Sequence, residues 1–245
     1  MPRSDCSGRG VTAMKTRTSF DEALLNDVLQ WDVQTWRRAL SLWQAVVNDL
    51  RPSEALAIGE RGGGLSLWLA RQDIAVLCTD VDGFGPNTRM LHVGYGVGDR
   101  IRYASEDATA LTVADSSFGL VIFKSVLGAL GTRERQAEAI REVHRVLKPG
   151  GALLFAENLV GTGFHAWLRR RFVRWESGWR YLRYPRDLEL FDDFRSVETR
   201  TTGLLAALGR SEKQRGILAR MDTILCPITP SSWHYVVYGA CRKDT

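Results

Sequence analysis

Cysteine pairs and long apolar runs are scarce in this chain of 245 residues, and each scarcity argues against a class of protein. The four cysteines, Cys6, Cys78, Cys226 and Cys241, form no C-x-x-C pair, which argues against zinc ribbons and thioredoxin-like redox motifs. Cys78 and Cys241 stand inside apolar, strand-like runs, so we expect buried, reduced thiols in a cytoplasmic protein. No apolar run approaches the roughly 20 residues that cross a bilayer as a helix.

The first residues of the chain are polar and basic and contain no apolar segment of the kind that a secretory signal needs. We therefore expect residues 1–19 to be a disordered tail and residues 20–245 to form one domain. The formal net charge of +5 is modest and does not by itself indicate a nucleic-acid partner. We expect the chain to bind no nucleic acid.

The rest of the chain alternates between helical patterns and short apolar runs. Apolar spacings of three and four predict two helices within residues 20–51, broken near Trp31 and Asp32. The apolar runs that follow, separated by helical segments, predict five strands: "ALAIG", "IAVLCTD", "IRYASEDA", "GLVIFKS" and "ALLFAEN". Two later runs, "DDFRSVETRTTG" and "SSWHYVVYGACRK", predict a sixth and a seventh strand with a helical insertion between them. The pattern predicts an α/β fold with a doubly wound, mostly parallel, seven-stranded sheet.

A glycine turn follows the first predicted strand, in the stretch "ALAIGERGGGLSLWLA". Gly59, Gly62 and Gly63 bring free backbone amides to the carboxyl edge of the sheet, where α/β sheets bind ligands. An acid at the end of the next strand, Asp80, has the spacing of a residue that hydrogen-bonds ribose hydroxyls. Asp107 closes the third strand, where its carboxylate could accept a hydrogen bond from the amino group of an adenine. These residues predict a nucleotide-like ligand at this edge.

Four motifs, in this order, resemble those of the class I S-adenosylmethionine-dependent methyltransferases: "ALAIGERGGG", "VLCTDVD", "SEDATALTVADSSFGLVIF" and "EVHRVLKPGGALLFAEN". The "LKPGG" element is the most specific, because Pro149, Gly150 and Gly151 would make the turn into the fifth strand. The resemblance covers about residues 55–160, implies an antiparallel seventh strand, and implies that the chain binds S-adenosylmethionine and releases S-adenosylhomocysteine. The positions that it assigns to binding this cofactor are Gly59, Glu60, Gly62, Gly63, Asp80, Val81, Asp107, Ala108 and Lys124.

The first motif departs from the family pattern at several positions. The usual acid of the first strand falls on Ala57, the second glycine of G-x-G-x-G falls on Arg61, and the aspartate of the fourth strand falls on Gly119. Glu60 could supply a substitute carboxylate for the amino group of the cofactor, or it could be a turn residue that faces solvent.

The resemblance implies direct attack on the sulfonium methyl group, so that alignment of the acceptor supplies most of the catalysis. For a hydroxyl-bearing acceptor a general base helps, and the candidates are His165, Lys124 and Glu157. His165 is preferred, because it follows a glycine-bearing loop after the fifth strand and begins a new helix. We expect no metal site, because no acidic pair or ligand cluster has a recognisable spacing.

Residues 165–186 combine seven arginines with several tryptophans and tyrosines. This composition favours a small-molecule acceptor that is anionic, glycosylated or lipid-linked, and it is also compatible with peripheral membrane contact or with nucleic-acid binding. A solvated helix face with aromatics in the core is the alternative. We expect residues 20–51, 161–190 and 204–230 to be additions on the acceptor side. A homo-oligomer is compatible with the sequence.

Two other functions stay open at this point. The altered first motif permits a catalytically idle protein that senses the cofactor or binds a partner. An NAD(P)-dependent oxidoreductase would use the same fold and the same Asp80, although the "LKPGG" turn argues against it.

Overall fold

The structure, a computed structural model, describes residues 21–172 and 178–245, so the predicted N-terminal tail lies outside the described residues. The helices are α1 (Glu22–Leu29), α2 (Val33–Leu50), α3 (Gly64–Ala70), α4 (Pro86–Gly94), α5 (Arg133–Val146), α6 (Gly163–Phe172) and α7 (Glu212–Leu225). The strands are β1 (Glu54–Ile58), β2 (Ala75–Thr79), β3 (Ile101–Ala104), β4 (Phe118–Lys124), β5 (Leu147–Asn158), β6 (Ser196–Thr202) and β7 (Val236–Arg242).

The seven strands form one sheet in the order β3-β2-β1-β4-β5-β7-β6. All neighbouring pairs are parallel except those of β7, which runs antiparallel to both β5 and β6. The strand order reverses between β1 and β4, so a crevice opens at their carboxyl ends. The predicted doubly wound, mostly parallel sheet and the antiparallel seventh strand are therefore confirmed.

Helices cover both faces of the sheet, which explains why the central strands are nearly continuous apolar runs. One layer of the core joins α1, α2 and α3 to the sheet, and Trp43 of α2 is fully buried there. The Nε1 of Trp43 donates to the carbonyl of Gly239 at 3.2 Å. The second layer lies under α5, where Phe155 stacks on Phe191 at 4.4 Å between ring centroids. Cys78 and Cys241 are free and buried, as predicted.

The break between α1 and α2 occurs where it was predicted. Gln30 and Asp32 both adopt positive φ, at 69° and 46°, so the chain turns sharply between the helices. The backbone amides of Asp32 and Val33 donate to the carboxylate of Glu212 at 2.8 and 3.2 Å. The first residue of α7 therefore caps the start of α2, which ties the insertion before β7 to the N-terminal helices.

Within the described ranges, no helix combines the length with the apolar character that crossing a bilayer requires.

Replacement of Trp43 tests the core layer beneath α2. Trp43→Ala should lower the free energy of unfolding by about 3–5 kcal/mol, because it leaves a cavity and removes the hydrogen bond from Trp43 to the carbonyl of Gly239. Trp233→Ala is the matched control, since that side chain is half exposed and should change the value by less than about 0.5 kcal/mol. Urea denaturation measures both, and equal losses would contradict this packing.

Candidate functional site

A cavity of about 620 Å³ opens at the carboxyl ends of β1, β2, β3 and β4. Its volume lies in the range of small-molecule and cofactor sites. Five carboxylates line it, contributed by Glu60, Asp80, Asp82, Glu106 and Asp107, against the three cations Arg61, Lys124 and Arg135. The balance of charge in the cavity is therefore negative, and it suits a ligand with positive charge.

The glycine turn forms one wall of the cavity. Gly59 has φ +67°, and a side chain at this position would collide with Val126. A side chain at Gly62 would collide with Gln30, which lies over the turn from the α1–α2 break. Gly63 also has positive φ, but it faces the ring of His92, whose Nε2 lies 2.8 Å from the Gly63 carbonyl. Gly59 and Gly62 line the cavity, whereas Gly63 packs away from it.

Glu60 is the buried acid of this turn. Its Oε2 accepts a hydrogen bond from the amide of Ser66 at 2.9 Å, and only 7% of the residue is exposed. Burial raises the pKa of Glu60 to about 7, against the lowering effect of that hydrogen bond and of Lys124. Glu60 therefore lines the cavity and does not face the solvent, and its binding to the amino group of the cofactor stays a prediction.

Lys124 ends β4, the neighbour of β1 in the sheet, and also lines the cavity. Its Nζ donates to the carbonyl of Leu29 at 2.9 Å and lies 5.1 and 5.2 Å from the ring centroids of Trp31 and Trp36. Burial lowers the pKa of Lys124 to about 8, although the carboxylates of Glu60, Asp32 and Glu157 act in the opposite direction. A fraction of the amine is therefore neutral near physiological pH.

The predicted ribose and adenine positions also line the cavity. Asp80 is buried at the end of β2, and its Oδ1 accepts from the amide of Asp82 at 3.1 Å. The Oδ1 of Asp107 accepts from the amide and hydroxyl of Thr109, and its Oδ2 lies 3.3 Å from Arg135. These contacts hold the pKa of Asp107 below its usual value. Val81 and Ala108 line the same walls.

Two of the three predicted general bases lie outside the cavity lining. The Oε1 of Glu157 accepts from the amides of Val126 and Leu127 at 2.6 and 2.7 Å. Burial raises the pKa of this carboxyl to about 7. Glu157 therefore supports the segment that follows β4, and Lys124 is the member of the trio that lines the cavity.

His165 has both ring nitrogens engaged within the protein. Its Nε2 lies 2.7 Å from the carbonyl of Leu204, which can only accept, so Nε2 carries the proton. Its Nδ1 accepts from the amide of Thr162 at 3.1 Å. Burial lowers the pKa of His165, in agreement with a neutral ring. The ring joins the start of α6 to the segment before α7.

Several residues that line the cavity were missed by the sequence analysis. They come from α1 and the break after it, from the segments after β3 and α6, and from α5, and they are Val28, Gln30, Trp31, Glu106, Arg135 and Trp179. Trp179 also packs on Gly128, where a side chain would collide with the indole. No local sequence signal marks these contacts, because their partners are distant along the chain.

The segment with many arginines, residues 165–186, is partly structural, and its residues 173–177 lie outside the described ranges. Arg169 donates to the carbonyls of Leu159 and Val160 and lies 3.9 Å from the ring centroid of Tyr181. Arg180 pairs with Asp187 at 3.0 Å. These two arginines thus hold loops together within the protein.

In residues 21–172 and 178–245, no group of three or more His, Cys, Asp and Glu side chains is arranged to hold a metal ion.

Parts of the chain match a protein-family model and curated methyltransferases. Residues 56–155 match the family model described as "Methyltransferase domain". The ubiquinone/menaquinone biosynthesis C-methyltransferase UbiE of Azotobacter vinelandii is 32% identical over 149 residues, a match covering 55% of this chain and 53% of that protein. The chain thus spans about half the length of this curated relative.

Solved structures share the fold. Phosphoethanolamine N-methyltransferase 2 of Haemonchus contortus, in complex with S-adenosyl-L-methionine, is 19% identical with a TM-score of 0.59, covering 94% of this chain and 59% of that one. The [4+2]-cyclase SpnF is 21% identical with a TM-score of 0.52, covering 79% of this chain and 76% of that one. At these identities, the likenesses establish the fold.

Replacement of Glu157 tests whether its carboxyl is buried as described. Its pKa of about 7 exceeds the unfolded value of 4.5, so its contribution to stability is present below pH 4.5 and is lost as the pH rises through 7. From pH 5 to pH 8, the free energy of unfolding should therefore fall by about 2–3 kcal/mol more in the wild type than in Glu157→Gln. Urea denaturation at both pH values measures this. The exposed Glu22→Gln is the control, and a wild-type pH dependence in Glu157→Gln would contradict the burial.

Proposed function

Because the chain belongs to the class I S-adenosylmethionine-dependent methyltransferases, we propose that it catalyses methyl transfer from S-adenosylmethionine to a small-molecule acceptor. The observation that carries this proposal is the acid-lined cavity at the glycine turn. Its five carboxylates suit a ligand that carries both a sulfonium and an ammonium group.

The residues present fit this cofactor. Gly59 and Gly62 line the cavity, and neither has room for a side chain because Val126 and Gln30 pack against them. Asp80 would hold the ribose hydroxyls at the end of β2, and Asp107, Val81 and Ala108 would surround the adenine. Gly63 would contribute by shaping the turn, since it packs against His92.

Glu60 would bind the amino group of the cofactor. Ala57 occupies the position of the usual acid of the first strand, and its small side chain is fully buried. Glu60 supplies a carboxylate three residues later, and the amide of Ser66 holds that carboxylate in place. Lys124 would lie next to the carboxylate of the same moiety or next to the acceptor.

When bound, S-adenosylmethionine supplies a methyl group that is already activated by the positive sulfur. The protein then has to exclude water and align the acceptor. Trp31, Trp179 and Val126 form apolar walls for this purpose. Lys124, with a pKa of about 8, can take the proton of an acceptor hydroxyl in its neutral form or stabilise the resulting oxyanion in its charged form.

We propose a hydroxyl-bearing acceptor that is anionic, glycosylated or lipid-linked, and that is methylated on oxygen. The matched relative from Azotobacter vinelandii is a C-methyltransferase by name, and a deprotonated enol or phenol can also react at carbon. Lys124 would serve either outcome. His165 and Glu157 remain predictions as catalytic groups, and their hydrogen bonds favour positioning roles.

A second candidate function is binding without methyl transfer. Arg61 stands at the position of a glycine in the first motif. The structural neighbour SpnF is named as a [4+2]-cyclase, so this fold also occurs in a protein named for another reaction. A chain with this function would bind the cofactor and would methylate no acceptor. An NAD(P)-dependent oxidoreductase has no support among the matches reported above.

Replacement of Asp80 tests the cofactor site. Calorimetric titration of S-adenosylhomocysteine into the wild type should give micromolar affinity, and Asp80→Ala should weaken it by about 10- to 100-fold through loss of hydrogen bonds to ribose. The exposed Asp99→Ala is the matched control and should bind like the wild type. NADH should give no signal. Binding of NADH, or equal affinities in Asp80→Ala and the wild type, would contradict the assignment.

The pH dependence of binding tests Glu60. With a pKa of about 7, this carboxyl is mostly protonated at pH 6 and mostly ionised at pH 7.5. The affinity for S-adenosylhomocysteine should therefore fall about eightfold from pH 7.5 to pH 6. Glu60→Gln should bind more weakly at pH 7.5 and should lose this dependence. A retained pH dependence in Glu60→Gln would assign the titration to another group.

A further inference from the structure

The helix α7 presents an apolar stripe to solvent. Ile217, Met221 and Ile224 follow one another at spacings of four and three residues, so at 100° per residue they share one face of α7, and Ile228 lies just beyond the helix in the 3-10 turn Cys226–Ile228. Their exposed fractions are 55%, 48%, 73% and 76%. Isolated apolar residues on a surface are ordinary, whereas a continuous stripe marks an interaction site.

The opposite face of α7 fixes the direction of this stripe. Asp222 is buried, and its carboxylate accepts from the amides of Leu204, Leu205 and Ala206 at 2.8 to 3.1 Å. Ala219 is buried as well, and its carbonyl accepts from Arg38 of α2 at 3.2 Å. The helix is therefore anchored through Asp222, Ala219 and Leu218, which packs against the core, whereas the side chains of the stripe are exposed.

A basic groove lies beside the stripe. It has a volume of about 720 Å³ between α2 and α7, and Arg37, Arg38 and Arg220 line it. Among the described residues that line this groove, none is an Asp or a Glu. Arg220 lies three residues after Ile217 and four residues before Ile224 on α7, so it borders both the groove and the stripe.

We propose that this surface, the α7 stripe together with the α2–α7 groove, docks on an anionic lipid bilayer. The four apolar side chains would enter the boundary between head groups and acyl chains, and the three arginines would contact lipid phosphates. An exposed apolar helix face flanked by cations is the chemistry that such a surface recognises.

Two observations favour the bilayer over a second copy of the chain. A twofold interface would bring the same arginine groove close to itself, and the like charges would repel each other. A stable interface also needs about 800 Å² on each partner, more than a stripe one side chain wide supplies. The α7 insertion joins β6 to β7 at the carboxyl edge of the sheet, the same edge as the cavity. Membrane docking by this surface would not depend on methyl transfer, so the two proposals can be tested separately.

Vesicle flotation of the full chain tests the proposal. The wild type should float with phosphatidylcholine vesicles that contain about 30% phosphatidylglycerol and should remain behind with pure phosphatidylcholine. The partition coefficient should fall at least about tenfold in Ile224→Asp and about fivefold in Arg220→Gln. Both positions are exposed, so both variants should keep the wild-type unfolding curve.

Matched changes elsewhere on the surface are the controls. Met90→Asp on α4 and Arg141→Gln on α5 replace equally exposed residues and should bind vesicles like the wild type. Equal binding to neutral vesicles, or equal losses in the control variants, would overturn the proposal. Sedimentation velocity supplies the last outcome: a wild-type dimer that dissociates in Ile224→Asp would assign the surface to a second copy instead.

Discussion

The structure of this protein depends on how one partly buried cation, Lys124, is stabilised at the carboxyl edge of the sheet. A charge withdrawn from water must be compensated by nearby opposite charges and hydrogen bonds. Here the compensation comes from three parts of the chain: Asp32 in the α1–α2 break, Glu60 in the glycine turn and Glu157 at the end of β5. The carbonyl of Leu29 and the faces of Trp31 and Trp36 complete the surroundings.

This arrangement explains why the N-terminal helices belong to the site. The α1–α2 break lies over Gly62 through Gln30, holds Lys124 through the Leu29 carbonyl, and is itself capped by Glu212 of α7. Burial raises the pKa values of Asp32, Glu60 and Glu157 and lowers that of Lys124, so neutral forms are accessible near physiological pH. Such a cavity can bind a cationic ligand through its ionised carboxylates, and Lys124 can still exchange a proton near physiological pH.

Much of the fold and part of the site could be predicted from the sequence, because the relevant signals are local. Strand ends, the glycine turn and the acid after β2 follow from patterns within a few residues. Eight of the nine predicted cofactor positions line one cavity, and these are Gly59, Glu60, Gly62, Asp80, Val81, Asp107, Ala108 and Lys124. Gly63 differs, because its neighbour His92 is 29 residues away along the chain. His165 was predicted as a general base, but its ring bonds to the carbonyl of Leu204, which is 39 residues away, and no local pattern predicts that contact.

We propose that the acid-lined cavity holds the methyl donor with Glu60 on its amino group. A crystal structure of the protein with S-adenosylhomocysteine would show this arrangement. We expect the ribose hydroxyls within hydrogen-bond distance of Asp80, the amino group at Glu60, and the sulfur facing the region of Lys124 and Trp31. An amino group held by another carboxylate, or a ligand bound outside this cavity, would contradict it.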